Sequence, residues 1–124
     1  MNPLAARGPH SVTLATRADC SVIILTGDMD LDHVGPLRTA LQEACTAPTA
    51  PERVVVDLSR LDFCDSAGLN ALLHARSLCE QNRRTLTLTD PGPQFHRLLR
   101  ITGTDALFDL SLPATPGGSA DAAH

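Results

Sequence analysis

The residues best arranged for chemistry fall in one run, Leu61-Asp62-Phe63-Cys64-Asp65-Ser66-Ala67-Gly68-Leu69. An apolar stretch leads into it and an amphipathic one leads out, so Asp65-Ser66 stands where a strand and its connection hand over to a helix. Ser66 suits the N-cap position, its hydroxyl accepting a bond from the backbone N–H of Gly68 or Leu69. Gly68 in the first turn allows another backbone to approach closely. A helix start presents unpaired N–H groups and about half a positive charge, an environment suited to an anion. A phosphoryl group on Ser66 could form there without unfolding its own domain, while adding about −1.5 to −2 charge units beside Asp65 and near Asp62. A partner surface matched to the neutral hydroxyl would then lose affinity. Reversal of such contacts commonly costs ~2–5 kcal/mol, about 30-fold to several-thousand-fold in Kd. The plainer reading stands beside this one: most serines at helix starts are caps and nothing more.

Other chemistries at these positions meet obstacles. A nucleophile-elbow serine needs G-x-S-x-G, and Cys64 occupies the first glycine position. His74 lies further along the same expected helix, about 12 Å of rise away and out of hydrogen-bond reach of Ser66. Asp28, Asp30 and Asp32 alternate like the start of a calcium loop, but His33 stands where such a loop needs glycine and the closing glutamate is missing. These carboxylates read better as charged loop residues near a partner surface. Cys20, Cys45, Cys64 and Cys79 form no C-x-x-C pair and no Cys/His cluster with zinc spacing. They are expected as buried or half-buried free thiols packing as small hydrophobes. Cys64 would sense oxidants only if exposed and of low pKa. No catalytic group, metal or cofactor is expected, and the chain is not expected to be an enzyme.

Presenting Ser66 requires a folded scaffold. Apolar residues are 43% of the 124, enough for a core, and charged residues are 19%, too few for an extended disordered chain. With three Phe and no Trp or Tyr, the core must be aliphatic. The same scarcity leaves little for base stacking, and a net charge of −4 argues against neutralising nucleic-acid phosphates. No apolar run is long enough to span a bilayer and no signal-peptide core is visible. The expectation is a cytoplasmic protein with reduced thiols and no direct nucleic-acid or membrane binding.

Periodicity supplies the elements. Val12, Leu14 and Thr16 alternate as in a half-exposed strand, and Val22–Leu25 reads as a more buried one that stops at Gly27, the two joined around Arg17–Asp19. Val34, Leu37, Leu41, Ala44 and Cys45 form a helical stripe, with Asp32 expected to cap it and Pro36 in an early turn. Val54-Val55-Val56, continuing towards Leu58, suggests a strand covered on both faces. Ser59–Cys64 is expected as a short connection to a second helix, striped by Leu69, Leu72, Ala75 and Cys79 and stopping at Asn82. Leu86 and Leu88 mark a fourth strand. Phe95, Leu98 and Leu99 mark a third helix that ends at Gly103. Ala106–Leu110 reads as a last strand or a helical turn. Residues 1–10 read as a flexible lead-in, 11–111 as one domain and 112–124 as a disordered tail. Alternating βα units favour an α/β fold, a mixed sheet of four to five strands with helices packed on it.

Three blocks carry a resemblance. They are Leu25-Thr26-Gly27-Asp28-Met29-Asp30; then Val54–Leu58 with Leu61 and Asp65-Ser66-Ala67-Gly68-Leu69; then Leu98–Gly103 with Leu107-Phe108. In this order and spacing they resemble the STAS domain, and within it the single-domain anti-sigma factor antagonists of bacteria. The resemblance implies a STAS-like fold and a phosphoacceptor serine. In that family a partner anti-sigma factor, an ATP-binding serine kinase, phosphorylates the antagonist. The unphosphorylated antagonist binds the kinase and frees a sigma factor, and a phosphatase resets it. Carried over, Ser66 is the phosphoacceptor, Asp65 its acidic neighbour and Asp30 a partner contact. Ala67 and Gly68 complete the partner-binding set, Gly68 keeping the helix start open. Ala67 stands where some members have Ser or Thr, which removes a second acceptor, and Thr104 replaces a usually apolar residue. The alternative within the family is a STAS interaction module that is not phosphorylated.

Overall fold

The alternation of Val12 and Leu14 with polar neighbours builds β1 (Ser11–Thr16), which turns into β2 (Cys20–Met29) through a tight hairpin. The Arg17 N–H donates to the Cys20 carbonyl at 2.8 Å to close it. There follow α1 (Val34–Thr46), β3 (Arg53–Cys64), α2 (Ser66–Gln81), β4 (Thr85–Thr89), α3 (Pro93–Thr102), a 3-10 turn (Asp105–Leu107) and β5 (Asp109–Ser111). The structure, a computed structural model, describes residues 11–111. The expected lead-in and tail lie outside the described residues. The strands form one mixed five-stranded sheet in the order β1-β2-β3-β4-β5, with β1 antiparallel to β2 and the other pairs parallel. This is the α/β architecture expected. Ala106–Leu110 supplies both candidates, a helical turn and then a strand.

Three local expectations are corrected. β2 does not stop at Gly27, and Ser59–Cys64 is strand rather than connection. The parallel β2–β3 ladder shifts register between Ile24 and Thr26 and again between Gly27 and Asp28, then runs on through Asp28↔Phe63 and Met29↔Cys64. Gly27 takes φ 85 within this irregularity, a conformation open to glycine. The largely polar stretch Ser59–Asp62 concealed the strand because the bulge breaks its alternation.

The second correction concerns burial. Val54 and Val56 are buried but Val55 only half so, and β2 alternates in the same way along its length. Two successive parallel connections running the same way across the sheet place α1 and α2 together on one face, where they pack against each other. Only that face is sealed. Ile23, Leu25, Val54, Val56, Leu58 and Leu88 there meet Leu37, Leu41, Leu69 and Leu72 of the helices in one aliphatic core.

The third concerns the start of α1. Its N-cap is His33, with no side-chain cap bond, and Asp32 does not cap. Asp30 organises that turn instead. Its Oδ1 accepts the Asp32 N–H at 3.2 Å and lies 2.5 Å from His33 Nδ1. α3 ends as expected at Gly103, which adopts φ 73. Among the described residues no helix is long and apolar enough to cross a membrane.

Candidate functional site

The C-terminal ends of β2, β3 and β4 open to one edge of the sheet, where ligand and partner sites of parallel sheets gather. The register pair Met29↔Cys64 brings the β2–α1 loop against the β3–α2 junction. The Asp65 N–H donates to the Met29 carbonyl at 3.2 Å and fastens the two. Asp30 and Asp65-Ser66 therefore share one edge.

Ser66 is not the N-cap. Asp65 is, in extended backbone conformation, and its Oδ1 accepts the N–H of Ala67 at 2.9 Å and of Gly68 at 3.3 Å. Aspartate outcompetes serine because its longer, charged side chain reaches both donors and complements the helix dipole. Ser66 becomes the first helical residue. It is exposed, and its hydroxyl has no hydrogen-bond partner among the described residues. The anion-receptive end of α2 is thus already occupied by the carboxylate of Asp65.

Ala67 is half-buried and Gly68 fully buried. The backbone that Gly68 admits is the chain's own: a Cβ there would stand 2.9 Å from the Met29 carbonyl oxygen and 2.6 Å from Cys64 Sγ. The glycine lets α2 start flush against the end of β2. Cys64 is 1% exposed, and burial, then the charge of Asp65, pushes its thiol up to about 12. It is a packing residue and not an accessible thiolate.

Asp30 is half-buried. Partial desolvation works against its charge, but the bond and charge of His33, with the backbone N–H groups of Asp32 and His33, hold its carboxyl below the ordinary value. The loop therefore keeps its negative charge and its shape together.

Three contributors were not visible in the sequence reading. Gln94, near the start of α3, bonds both backbone groups of Cys64: Oε1 accepts its N–H and Nε2 donates to its carbonyl, each at 2.9 Å. It stands in for a sheet neighbour where β4 has ended, and so fixes the residue before Asp65. Leu31, 72% exposed, and Phe63, 43% exposed, put apolar surface beside these carboxylates. A lone leucine between Asp30 and Asp32 was the available signal. Among the described residues no group of three or more His, Cys, Asp and Glu could hold a metal ion.

An exposed serine at a helix start, edged by carboxylates and stray apolar side chains, thus stands at one end of a small mixed α/β sheet. Residues 12–111 match the family model described as "Mlab, STAS domain", and the chain belongs to the STAS domain family. An anti-sigma F factor antagonist of Paenibacillus polymyxa is 30% identical over 82 residues, 66% of this chain and 69% of that protein. An anti-sigma factor antagonist from Mycobacterium paratuberculosis has a similar solved structure (TM-score 0.71, 23% identity, 92% of this chain and 93% of that one). So does the Bacillus cell fate determinant SpoIIAA in its phosphorylated form (TM-score 0.63, 22% identity, 94% and 100%). At these identities the structures establish the fold.

Proposed function

We propose that the chain is an anti-sigma factor antagonist controlled at Ser66. Unphosphorylated, it binds an anti-sigma factor of the serine-kinase type and releases a sigma factor. Phosphorylated on Ser66, it lets that partner go, and a phosphatase restores it. The chain acts by binding and carries out no chemistry of its own. The observation that carries this reading is the Ser66 hydroxyl, exposed and unbonded beside a carboxylate that already fills the helix start. The relative named an anti-sigma F factor antagonist, and the solved phosphorylated form of SpoIIAA, support it.

The docking face is Asp30, Asp65, Ser66 and Ala67, with Leu31 and Phe63 supplying apolar contact. Gly68 contributes by setting the position of α2 against β2. Charge-assisted contacts to Asp30 and Asp65 suit a basic partner surface. A phosphate at Ser66 adds a dianion with no free cap to absorb it.

The test is intact-mass measurement after incubation with ATP and the candidate kinase. A gain of about 80 Da, one phosphoryl group, is expected in the wild type and not in Ser66→Ala. Ser66→Asp should weaken partner binding by at least about tenfold with unchanged circular dichroism. A stable complex with a sigma-regulating kinase, unchanged mass and undiminished binding of Ser66→Asp would instead make the chain a non-phosphorylated STAS module.

A further inference from the structure

At the far end of α2 from Ser66, roughly 20 Å along the helix, two cysteines meet. Cys45 in the last turn of α1 and Cys79 in the last turn of α2 are 0% and 1% exposed, with Sγ atoms 2.8 Å apart. That is inside the ~3.5–4.0 Å at which carbon atoms pack, so one thiol hydrogen-bonds the other. Closing to a disulfide moves the sulfurs by under about 1 Å. We infer that Cys45 and Cys79 are a redox pair, a modification site in which hydrogen peroxide converts the dithiol to a disulfide that ties α1 to α2.

The surroundings suit this chemistry. The bond between the two thiols lowers Cys79 and raises Cys45, desolvation raises both, and the positive charge of Arg84 favours the thiolate of either one. Arg84 is held in place by the Ala44 carbonyl at 2.7 Å and by the Ala47 carbonyl. Either thiol can attack first: with Cys79 attacking and Cys45 resolving, or with the two roles exchanged, the same disulfide forms. A groove of about 190 Å³ runs along the α1–α2 seam, lined by Arg38, Leu41, Gln42, His74, Ala75 and Leu78; neither cysteine lines it, so a peroxide reaches the pair through local opening of the helix ends. The carbonyl of that same Ala75 lies 3.6 Å from Cys45 Sγ.

The step balances. Cys79 sulfur attacks the peroxide oxygen, the O–O bond breaks, and Cys79 becomes a sulfenic acid with loss of one water. Cys45 sulfur then attacks the Cys79 sulfur, the S–O bond breaks, and the thiol proton leaves with the hydroxyl as a second water. The two sulfurs give up two electrons in all, and a dithiol reductant returns them. Cys20 is half-buried and stands apart from this pair, and Cys64 has its thiol against the Asp65 carbonyl at 3.4 Å.

The experiment exposes folded, full-length protein to hydrogen peroxide, blocks thiols after unfolding and maps tryptic peptides without reduction. Expected are a mass loss of about 2 Da before blocking, a fall in blockable thiols from about four to two, and one linked species joining residues 39–53 to 77–83. The oxidised form should melt roughly 10 °C higher, and dithiothreitol should reverse both changes. Cys20→Ser, at a half-buried position outside the pair, should still form the link. Four thiols remaining, linkage through Cys20 or Cys64, or oxygen adducts without a Cys45–Cys79 link would overturn the inference.

Discussion

Replacing Gly68 by alanine sets two physical effects of opposite sign against each other. In an open helix, Gly→Ala stabilises by about 0.8–1 kcal/mol through backbone entropy. At Gly68 the new methyl would lie 2.6 Å from Cys64 Sγ and 2.9 Å from the Met29 carbonyl oxygen. Neither neighbour yields easily. Cys64 is pinned through both backbone groups by Gln94, and the Met29 carbonyl accepts the Asp65 N–H. Relief must come from sliding α2 off β2. Overpacking of this kind costs about 1–3 kcal/mol, and weakening the Asp65–Met29 bond adds up to about 1 kcal/mol. Net of the helical gain, Gly68→Ala should destabilise by about 1–2 kcal/mol and lower Tm by about 5–15 °C. Partner affinity should fall as well, because Ser66 moves relative to Asp30. Thermal and urea melts provide the measurement. Gly35→Ala in α1, whose Cβ would meet nothing within 4 Å, is the control and should gain about 0.4–1 kcal/mol. A Gly68→Ala protein as stable as the wild type would refute the reasoning.

Two further outcomes follow from the geometry around Asp65. Gln94→Ala leaves the N–H and carbonyl of Cys64 without their partners and should cost about 1–3 kcal/mol in urea unfolding, whereas Gln94→Glu, which keeps an acceptor for the N–H, should retain part of that. For Asp30 the folded-state pKa is lowered, so its contribution to stability is present above the unfolded carboxyl's value of about 3.9 and is lost as pH falls through the lower folded value. NMR titration should find the Asp30 carboxyl below the ordinary range in the wild type and shifted upward in His33→Ala; an unmoved midpoint would show that His33 does not hold it.

How far the sequence could be read depended on whether an element's signal was local. The stripe Val34, Leu37, Leu41, Ala44, Cys45 is the buried face of α1 without change, because helical burial repeats within a single segment. The stop at Gly103 was equally legible, since only backbone conformation is involved. The second half of β3 was not. Ser59–Phe63, apart from the partly buried Leu61, is exposed and shows no alternation, and its strand character comes from pairing with β2 across a bulge, which is information held by another part of the chain. Asp65 and Ser66 compete for one cap on local grounds, and the winner depends on where the N–H groups of Ala67 and Gly68 point. Gln94 lies far from Cys64 in sequence, and nothing in its neighbours reveals that it completes a sheet edge. The edge that gathers Asp30, Asp65 and Ser66 was legible only through resemblance, because its assembly is tertiary.

The exchange of roles between Asp65 and Ser66 bears on how a switch here would work. Had serine been the cap, a phosphate could have taken over the helix N–H groups and been partly neutralised by its own domain. With Asp65 already bonded to Ala67 and Gly68, a phosphate on Ser66 has no such refuge. Displacing the carboxylate would only exchange one anion for another at the N–H groups of Ala67 and Gly68. The added charge must therefore stay at the surface, near Asp30 and Asp65 on the same edge, with the fold beneath it unchanged. On the proposed reading, an antagonist that signals by surface charge would need no second conformation, and the energy of the switch would reside in the partner's surface, where a dianion would meet contacts matched to a hydroxyl. A conformational switch would instead require the Asp65–Met29 bond or the Gly68 packing to have an alternative, and both are closed by backbone atoms of the chain itself.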